Sequence, residues 1–361
     1  MKMRKIVCSF MISVVCFMTA ISGVSATSYD TSKINAAYSK VVEYYKNNNN
    51  LNNADKILAV ESLGLEAESN QFDTSSADLS STSLSKKIVT EVLLGVDPTE
   101  DKKTLESQID ENGNVEGSWG ASSDVWTLYA LYVTSSEKTN LIANKLNDEL
   151  AASSVCGYEW GVTYYADYDT TGWVIEGLAV VNKEKYATTI NKAIDYIKNN
   201  TTMTTTGWVT ADNVDTQSQV LEGMFAYDTN ALLNDSYTVH PVDCLLNTQL
   251  SDGSFPSGYN AEYTTAEVAK TLGTYKNGSV IIKAKKAYDK MMNPEQPDNT
   301  KPAQPTDTKK DSQSTNKVET TNQKTTSVKT GDETNVVIFV SLSMVSGGLF
   351  LVLRKEYERV H

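Results

Sequence analysis

In the stretch "ADYDTTGWVIEGLAVV", Asp167 and Asp169 flank Tyr168, and Thr170 and Thr171 follow. These residue types at this spacing fit two kinds of chemistry. A carboxyl group buried in an apolar cavity keeps its proton to higher pH and can donate it as a general acid. In that reading Asp169 is the catalytic acid and Asp167 its partner. The same residues at the head of a helix accept hydrogen bonds from its orphan N–H groups. Asp215 heads a similar stretch with no acid two residues before it, which favours capping as the role of Asp169, with Thr170 beside it.

Other chemistries find little to work with. His240 is the only histidine before the C-terminal residue. Asp243 and Cys244 lie close to it in sequence, but no metal motif forms and no cofactor is expected. There is no Ser-His-Asp or Cys-His arrangement and no phosphate-binding loop. Cys8 and Cys16 fall in the leading segment, so Cys156 and Cys244 remain as either an extracellular disulfide or two buried thiols.

The elements that position these residues repeat. "SSDVWTLYAL" (122–131), "DTTGWVIEGL" (169–178), "DTQSQVLEGM" (215–224) and "YTTAEVAKTL" (263–272) align, and their last positions stand 47, 46 and 48 residues apart. That period fits two helices and two connections. The first columns hold Ser, Asp, Thr or Tyr, as a helix start requires. The column before last holds Ala130, Gly177, Gly223 and Thr271, small enough for a neighbouring helix to approach closely. Glycine inside a helix costs about 1 kcal/mol relative to alanine, so two of them imply a packing reason. "ADKILAVESL" (54–63) fits the same columns, with Ser62 in the small position. Amphipathic stretches at 136–153, 183–200 and 279–292 read as outer helices, and 33–48 and 83–94 supply two more. About eleven helices, inner alternating with outer, predict an all-α protein: an α/α toroid over residues 27–292.

The ends of the chain carry signals of their own. Lys2, Arg4 and Lys5, an apolar run and Val24-Ser25-Ala26 predict a signal peptide at 1–26. Residues 293–330 are rich in Thr, Pro and Lys and nearly devoid of apolar side chains, so a disordered stalk is expected there. Within 331–361, the apolar run 336–353 is long enough to span a bilayer, and Arg354, Lys355 and Arg359 behind it keep the tail cytoplasmic. These signals place the body of the chain outside the cell. The formal charge of −13 becomes −16 once the three basic residues of the leader leave. An acidic domain repels phosphates, so nucleic acid is excluded as a partner.

Two resemblances follow from these residues. "SVKTGDE", an apolar helix and a short basic tail resemble the sorting signal of Gram-positive wall proteins, with Ser327-Val328 where Leu-Pro is usual. That resemblance implies cutting by a sortase between Thr330 and Gly331 and attachment to peptidoglycan; the alternative is a retained membrane helix. The loops before the inner helices read Gly117-Ser118-Trp119-Gly120, Gly157-Tyr158-Glu159-Trp160-Gly161, Gly207-Trp208 and "QLSDGSF" (249–255). With "LLGVDPTEDKKTLESQI", "GSWG" and "SSDVWTLYAL", they resemble secreted bacterial proteins with prenyltransferase and squalene-oxidase repeats, over residues 35–290. That group shares its toroid with terpenoid cyclases, protein prenyltransferase β subunits and cobalamin carriers.

The resemblance implies a central cup lined by the inner helices and the loops at their N-terminal ends. Trp119, Trp160, Tyr164, Tyr165, Tyr168, Trp173, Trp208 and Tyr259 are its candidate ligand contacts, with acids Asp167, Asp169, Asp212 and Glu262 nearby. In the same fold the Gly-x-Trp turns pin loops onto helix ends, which gives Trp119, Trp208 and Phe255 a packing role instead. Cyclases carry a further acid where this chain has Thr170. The leading expectation is a surface-anchored binding module for an extracellular ligand: a corrinoid, an isoprenoid, a glycan or a protein. The rivals are a terpenoid cyclase-like enzyme with Asp169 as acid, and a structural surface protein whose cup is filled by side chains.

Overall fold

The computed structural model describes residues 29–68, 72, 80–201 and 214–293. The signal peptide, stalk, sorting signal and membrane helix expected at the two ends lie outside the described residues, as do Trp208, Asp212, Thr330 and Gly331. No helix among the described residues is long and apolar enough to cross a membrane.

The described chain is mostly helical. Its helices are α1 (Thr31–Asn47), α2 (Ala54–Ser62), α3 (Ser81–Leu93), α4 (Thr99–Ser107), α5 (Ala121–Val133), α6 (Thr139–Ser153), α7 (Tyr168–Asn200), α8 (Val214–Asn234), α9 (Pro241–Leu246), α10 (Ala261–Asn277) and α11 (Val280–Met292). Two strands, β1 (Cys156–Trp160) and β2 (Thr163–Asp167), form an antiparallel hairpin between α6 and α7.

Local chemistry sets the helix ends. Asp30, Asn53, Asn260 and Ser279 cap α1, α2, α10 and α11, each accepting a bond from a first-turn N–H. At the other end, α2 and α3 stop in the same way. Gly64 and Gly95 take positive φ, and the N–H groups of Leu65 and Val96 donate back to Val60 and Glu91. That closure needs a left-handed residue, which glycine adopts without a Cβ penalty. Two helices continue through an internal break. Asn182 in α7 and Asp228 in α8 leave helical geometry, and their side chains accept from the N–H groups of Lys185 and Ala231. Each break is an N-cap that starts a second helical segment, so the polar stretch at 183–200 follows the apolar one at 169–178 with almost no connection.

Six helices contact one another in a closed circuit: α2, α3, α5, the first half of α7, α8, α10 and back to α2. Asp55–Lys86 joins α2 to α3, the Lys86 ammonium over the Trp126 ring joins α3 to α5, and Tyr129–Glu176 joins α5 to α7. Gln219–Glu267 joins α8 to α10, and Ser62 reaches the Ala269 carbonyl across α2 and α10. The bonds Tyr129–Glu176 and Gln219–Glu267 span 47 and 48 residues, the period of the aligned stretches. Helices α1, α4 and α6 pack against members of the circuit, and α11 lies across α2, α3, α5 and α10. It buries Val280, Ile281, Ala284 and Tyr288, one face at helical spacing.

The small-residue column does what its residue types imply, with one addition. A Cβ on Gly223 would sit 2.3 Å from the Gly172 carbonyl oxygen, and one on Gly172 would sit 2.5 Å from that of Gln219. So α7 and α8 touch backbone to backbone through two glycines, of which the alignment singled out only Gly223. Gly177 is different, since its nearest obstacle is the Leu128 side chain at 3.1 Å.

One expectation needs correction. The residues before α7, read as an irregular loop, form a β-hairpin whose two-residue turn is Gly161-Val162. Gly161 has φ +63 at the first central position, where a type II′ turn places glycine. Of the two alternatives for the cysteines, the thiols are found: Cys156 is buried in β1, and Cys244, in α9, is half-buried. Phe255, by contrast, packs as its turn implied: it is fully buried, and its N–H donates to Thr265.

The glycine contacts give a paired expectation. Gly223→Ala drives a methyl group into backbone and should cost about 1–3 kcal/mol, as overpacking does. Gly177→Ala meets three buried side chains, Leu128, Val125 and Tyr129, at 3.1, 3.3 and 3.4 Å but no backbone, and gains helix propensity, so it should cost less than Gly223→Ala, about 1 kcal/mol at most. Urea unfolding of the two variants checks both, and equal losses would contradict the asymmetry.

Candidate functional site

Asp167, not Asp169, caps α7. Its carboxylate accepts from the N–H groups of Asp169 and Thr170, both at 3.2 Å, and from the Thr170 hydroxyl at 2.7 Å. This overturns the capping role expected for Asp169 and frees its side chain for other contacts. The residue as a whole is part-exposed, yet its Oδ1 is shut off from solvent and has no hydrogen-bond partner among the described residues. Burial, reinforced by the charges of Asp167, Asp215 and Glu267, pushes the Asp169 carboxyl well above the usual carboxylate range; a bond from Thr216 opposes this only in part. Asp215 heads α8 and accepts a 2.6 Å bond from the Tyr259 hydroxyl. The two aspartates of one repeat column therefore meet at the N-terminal ends of α7 and α8.

The hairpin supplies aromatic surface beside them. Strand alternation and the pairing of Tyr158 with Tyr165 place Tyr158, Trp160 and Tyr165 on one face. Tyr158 and Tyr165 stack with centroids 5.4 Å apart, and Trp119, just before α5, meets Trp160 edge-on at 6.3 Å. The Trp119 carbonyl also accepts the Glu159 N–H at 2.8 Å, tying the α5 loop to the hairpin. A Thr171 hydroxyl at 3.0 Å from the Cys156 nitrogen pins the hairpin to α7. The charges of Asp167 and Asp169 both raise the Tyr158 phenol, behind the larger effect of burial, so this face borders the carboxylates. Trp119 is 49% exposed, Trp160 41%, Tyr165 37% and Tyr259 56%. For Trp119 these values contradict the packing role its turn implied.

The remaining candidates divide. Tyr164 points to the other face of the hairpin, where its hydroxyl donates to Glu149 at 3.0 Å. Tyr168 opens α7 and is partly buried against the core. Trp173 is not at the rim: it lies inside the helix circuit, edge-on to Trp126 at 5.8 Å.

Inside the circuit is a charge network that the sequence reading missed. Glu176, Glu222, Glu267 and Lys270 are all buried there. Lys270 Nζ is 2.9 Å from Glu267 and 3.9 Å from Glu222. Glu176 accepts from Tyr129 at 3.0 Å and from Ser279, which precedes α11, at 2.6 Å. The Trp126 ring lies between two ammonium groups, Lys86 at 4.4 Å and Lys270 at 5.5 Å from its centroid. Burial raises the carboxyls of Glu222 and Glu176. Burial works against the charge on Lys270, but Glu267, Glu222 and Asp55 outweigh it and hold the group protonated. The signal was available: the third column from the end of the aligned stretches reads Tyr129, Glu176, Glu222 and Lys270, polar residues at one phase of apolar helices.

These buried side chains lie inside the circuit. Two cavities, of about 290 and 210 Å³, lie elsewhere: one beside Tyr44, Lys56 and Glu262, the other beside Glu61, Asn277 and Lys283. Among the described residues no group of three or more His, Cys, Asp or Glu side chains could hold a metal ion.

The Asp169 carboxyl sets a pH dependence with a definite sign. A carboxyl whose folded pKa is raised favours folding fully below its unfolded pKa, and loses that contribution as pH rises through the folded value. Asp169→Asn keeps the shape and removes the titration. The stability of the parent relative to this variant should therefore fall as pH rises from about 4 through neutrality. Urea unfolding at several pH values measures it; a difference that grows with pH would contradict the buried, proton-retaining Asp169.

No family model, no curated protein and no solved structure matches this chain, so its function has to be argued from the rim and the buried network themselves.

Proposed function

We propose that this protein is a surface-anchored, non-catalytic binding module whose helices form an α/α toroid. It presents an aromatic rim, at the N-terminal end of the inner helices, to an extracellular ligand. The closed circuit of six helices and the bonds spanning 47 and 48 residues support the toroid, as does the resemblance to secreted prenyltransferase and squalene-oxidase repeat proteins. Attachment through the C-terminus, by sortase at Thr330–Gly331 or by the apolar run 336–353, rests on the sequence alone.

The observation that carries the reading is the exposure of Trp119, Trp160 and Tyr165 on one continuous face beside Asp167 and Asp169. Large aromatic side chains left in water on a rigid two-stranded platform mark a contact surface. The buried network argues against the enzyme reading. A terpenoid cyclase needs an open apolar cavity, whereas here the inside of the circuit carries the buried charges of Glu222, Glu267 and Lys270 beside Trp126. One observation favours catalysis all the same: Asp169 holds its proton in a buried position, as a general acid must.

The test uses the full-length chain with a mixture of corrinoids, isoprenoids and wall glycans, followed by native mass spectrometry. A ligand retained with unchanged mass is expected. Replacing both Trp119 and Trp160 by Ala should weaken it more than tenfold, and Asp169→Asn should leave it in place. A rearranged isoprenoid that disappears with Asp169→Asn would overturn the binding reading and make Asp169 the acid.

A further inference from the structure

The rim carries a charge pattern as well as an aromatic one. Trp119, the hairpin with Asp167 and Asp169, and Asp215 with Tyr259 fall within residues 104–137, 146–182 and 199–269. These three stretches hold 21 Asp and Glu and no Lys or Arg. Helix starts account for Asp124, Asp167, Asp169 and Asp215, since acids favour the N-terminal end of a helix dipole. They do not account for Glu111, Glu116 and Glu159, which lie outside the helices and are exposed. Lys145, at the edge of one stretch, is 2.9 Å from Asp124 and so already paired. We propose that the aromatic rim recognises a glycan whose amino groups are free and protonated, which names the ligand class of the binding module and rests on that reading.

Two features select this ligand. The first is aromatic. Trp119 and Trp160 stand at 79° to each other with centroids 6.3 Å apart, and both stay exposed. Indole rings set this way offer π surface in two directions. Such surface packs against the C–H bonds of a sugar ring and attracts an ammonium group through its quadrupole. The second feature is charge. Glu116 lies three residues before Trp119, and Glu159 is next to Trp160. Three residues of chain span at most about 10 Å, close to the screening length of about 8 Å at physiological salt. Both carboxylates therefore act on a cation held at the indoles. Strand alternation sets Glu159 on the opposite face from Trp160, so it attracts the cation through space rather than by a bond. The same carboxylates repel a phosphate-bearing corrinoid or a prenyl diphosphate. A protein partner buries about 800 Å² on each side. Trp119, Trp160 and Tyr165, at 49, 41 and 37% exposure, offer roughly 250 Å² if each ring measures about 150–250 Å². That area suits one or two sugar rings, not a protein interface.

Calorimetry on the full-length chain with a matched pair of sugars tests the proposal. One is the glucosamine trisaccharide at about pH 6, where amines are protonated. The other is chitotriose, its neutral N-acetylated counterpart. The amine form is expected to bind at least tenfold more tightly. Raising salt from about 0.1 M to about 1 M shortens the screening length from about 10 Å to about 3 Å and should erase most of that preference. Glu116→Gln with Glu159→Gln, both exposed positions, should lower the preference severalfold and leave chitotriose binding as it was. Trp119→Ala with Trp160→Ala should weaken both sugars more than tenfold. Equal binding of the two sugars, lost in the tryptophan variant, would overturn the charge selection and keep the rim. A preference unchanged in the Gln variant would overturn it too. Amine binding that survives the tryptophan replacement would overturn the rim reading itself. Binding of neither sugar would overturn the glycan, and a lysine-rich peptide bound instead through Trp119 and Trp160 would make the partner a protein.

Discussion

The buried ammonium of Lys270 is the constraint around which the helix circuit is organised. It faces Glu267 and Glu222 where no water can screen them, and it shares the Trp126 ring with Lys86. Removing one partner of a buried pair costs about 3–5 kcal/mol, because the other charge is left uncompensated. These groups come from α3, α5, α8 and α10, and Glu176 adds α7. Helices from distant parts of the chain thus share one electrostatic centre. The backbone contact of Gly172 with Gly223 then sets how closely α7 and α8 approach it.

Inside the circuit some side chains are paired, Lys270 with Glu267 and Glu222 and Glu176 with Tyr129 and Ser279, while Glu222 Oε2, Glu267 Oε1 and Trp173 Nε1 have no hydrogen-bond partner among the described residues. The contact surface proposed above lies instead at the rim, where the loops before α5 and α7 emerge. Three devices hold it. Asp167 caps α7 and fixes where the hairpin ends, Thr171 ties Cys156 to the helix, and the Trp119 carbonyl ties the α5 loop to Glu159. The aromatic face is therefore carried on rigid elements, which lowers the ordering cost of binding. Burial and the neighbouring acids push the Asp169 carboxyl upward, so it keeps its proton to higher pH than an ordinary aspartate does.

Much of this was legible in the residues. Helical spacing located most of the helices, although α3 joins the contact circuit without matching the repeat columns, and the 47-residue period reappears as hydrogen bonds between equivalent positions. The misreadings have physical reasons. Either of two acids at one helix start could cap it, and spacing alone could not tell that Asp167 accepts the first N–H groups of α7 while Asp169 does not. The hairpin at 156–167 hid because Gly157 and Gly161 looked like loop residues, although the alternating aromatics around Gly161-Val162 form a strand–turn–strand pattern. The charge network was in plain view as a polar column, but only three-dimensional closure shows that its members face one another. Short α9 lacks a full helical period and left no pattern to find.

Placing the contact at the rim rather than in the centre can be tested by labelling the chain with 5-fluorotryptophan and titrating it with corrinoids, isoprenoids and wall glycans in turn. The five tryptophans include two at the rim, Trp119 and Trp160, and two in the centre, Trp126 and Trp173, each assigned by Trp→Phe replacement. The resonances of Trp119 and Trp160 should move with saturation while those of Trp126 and Trp173 stay fixed. Movement of Trp126 and Trp173 with a still rim would contradict the account and place the ligand inside the helix circuit.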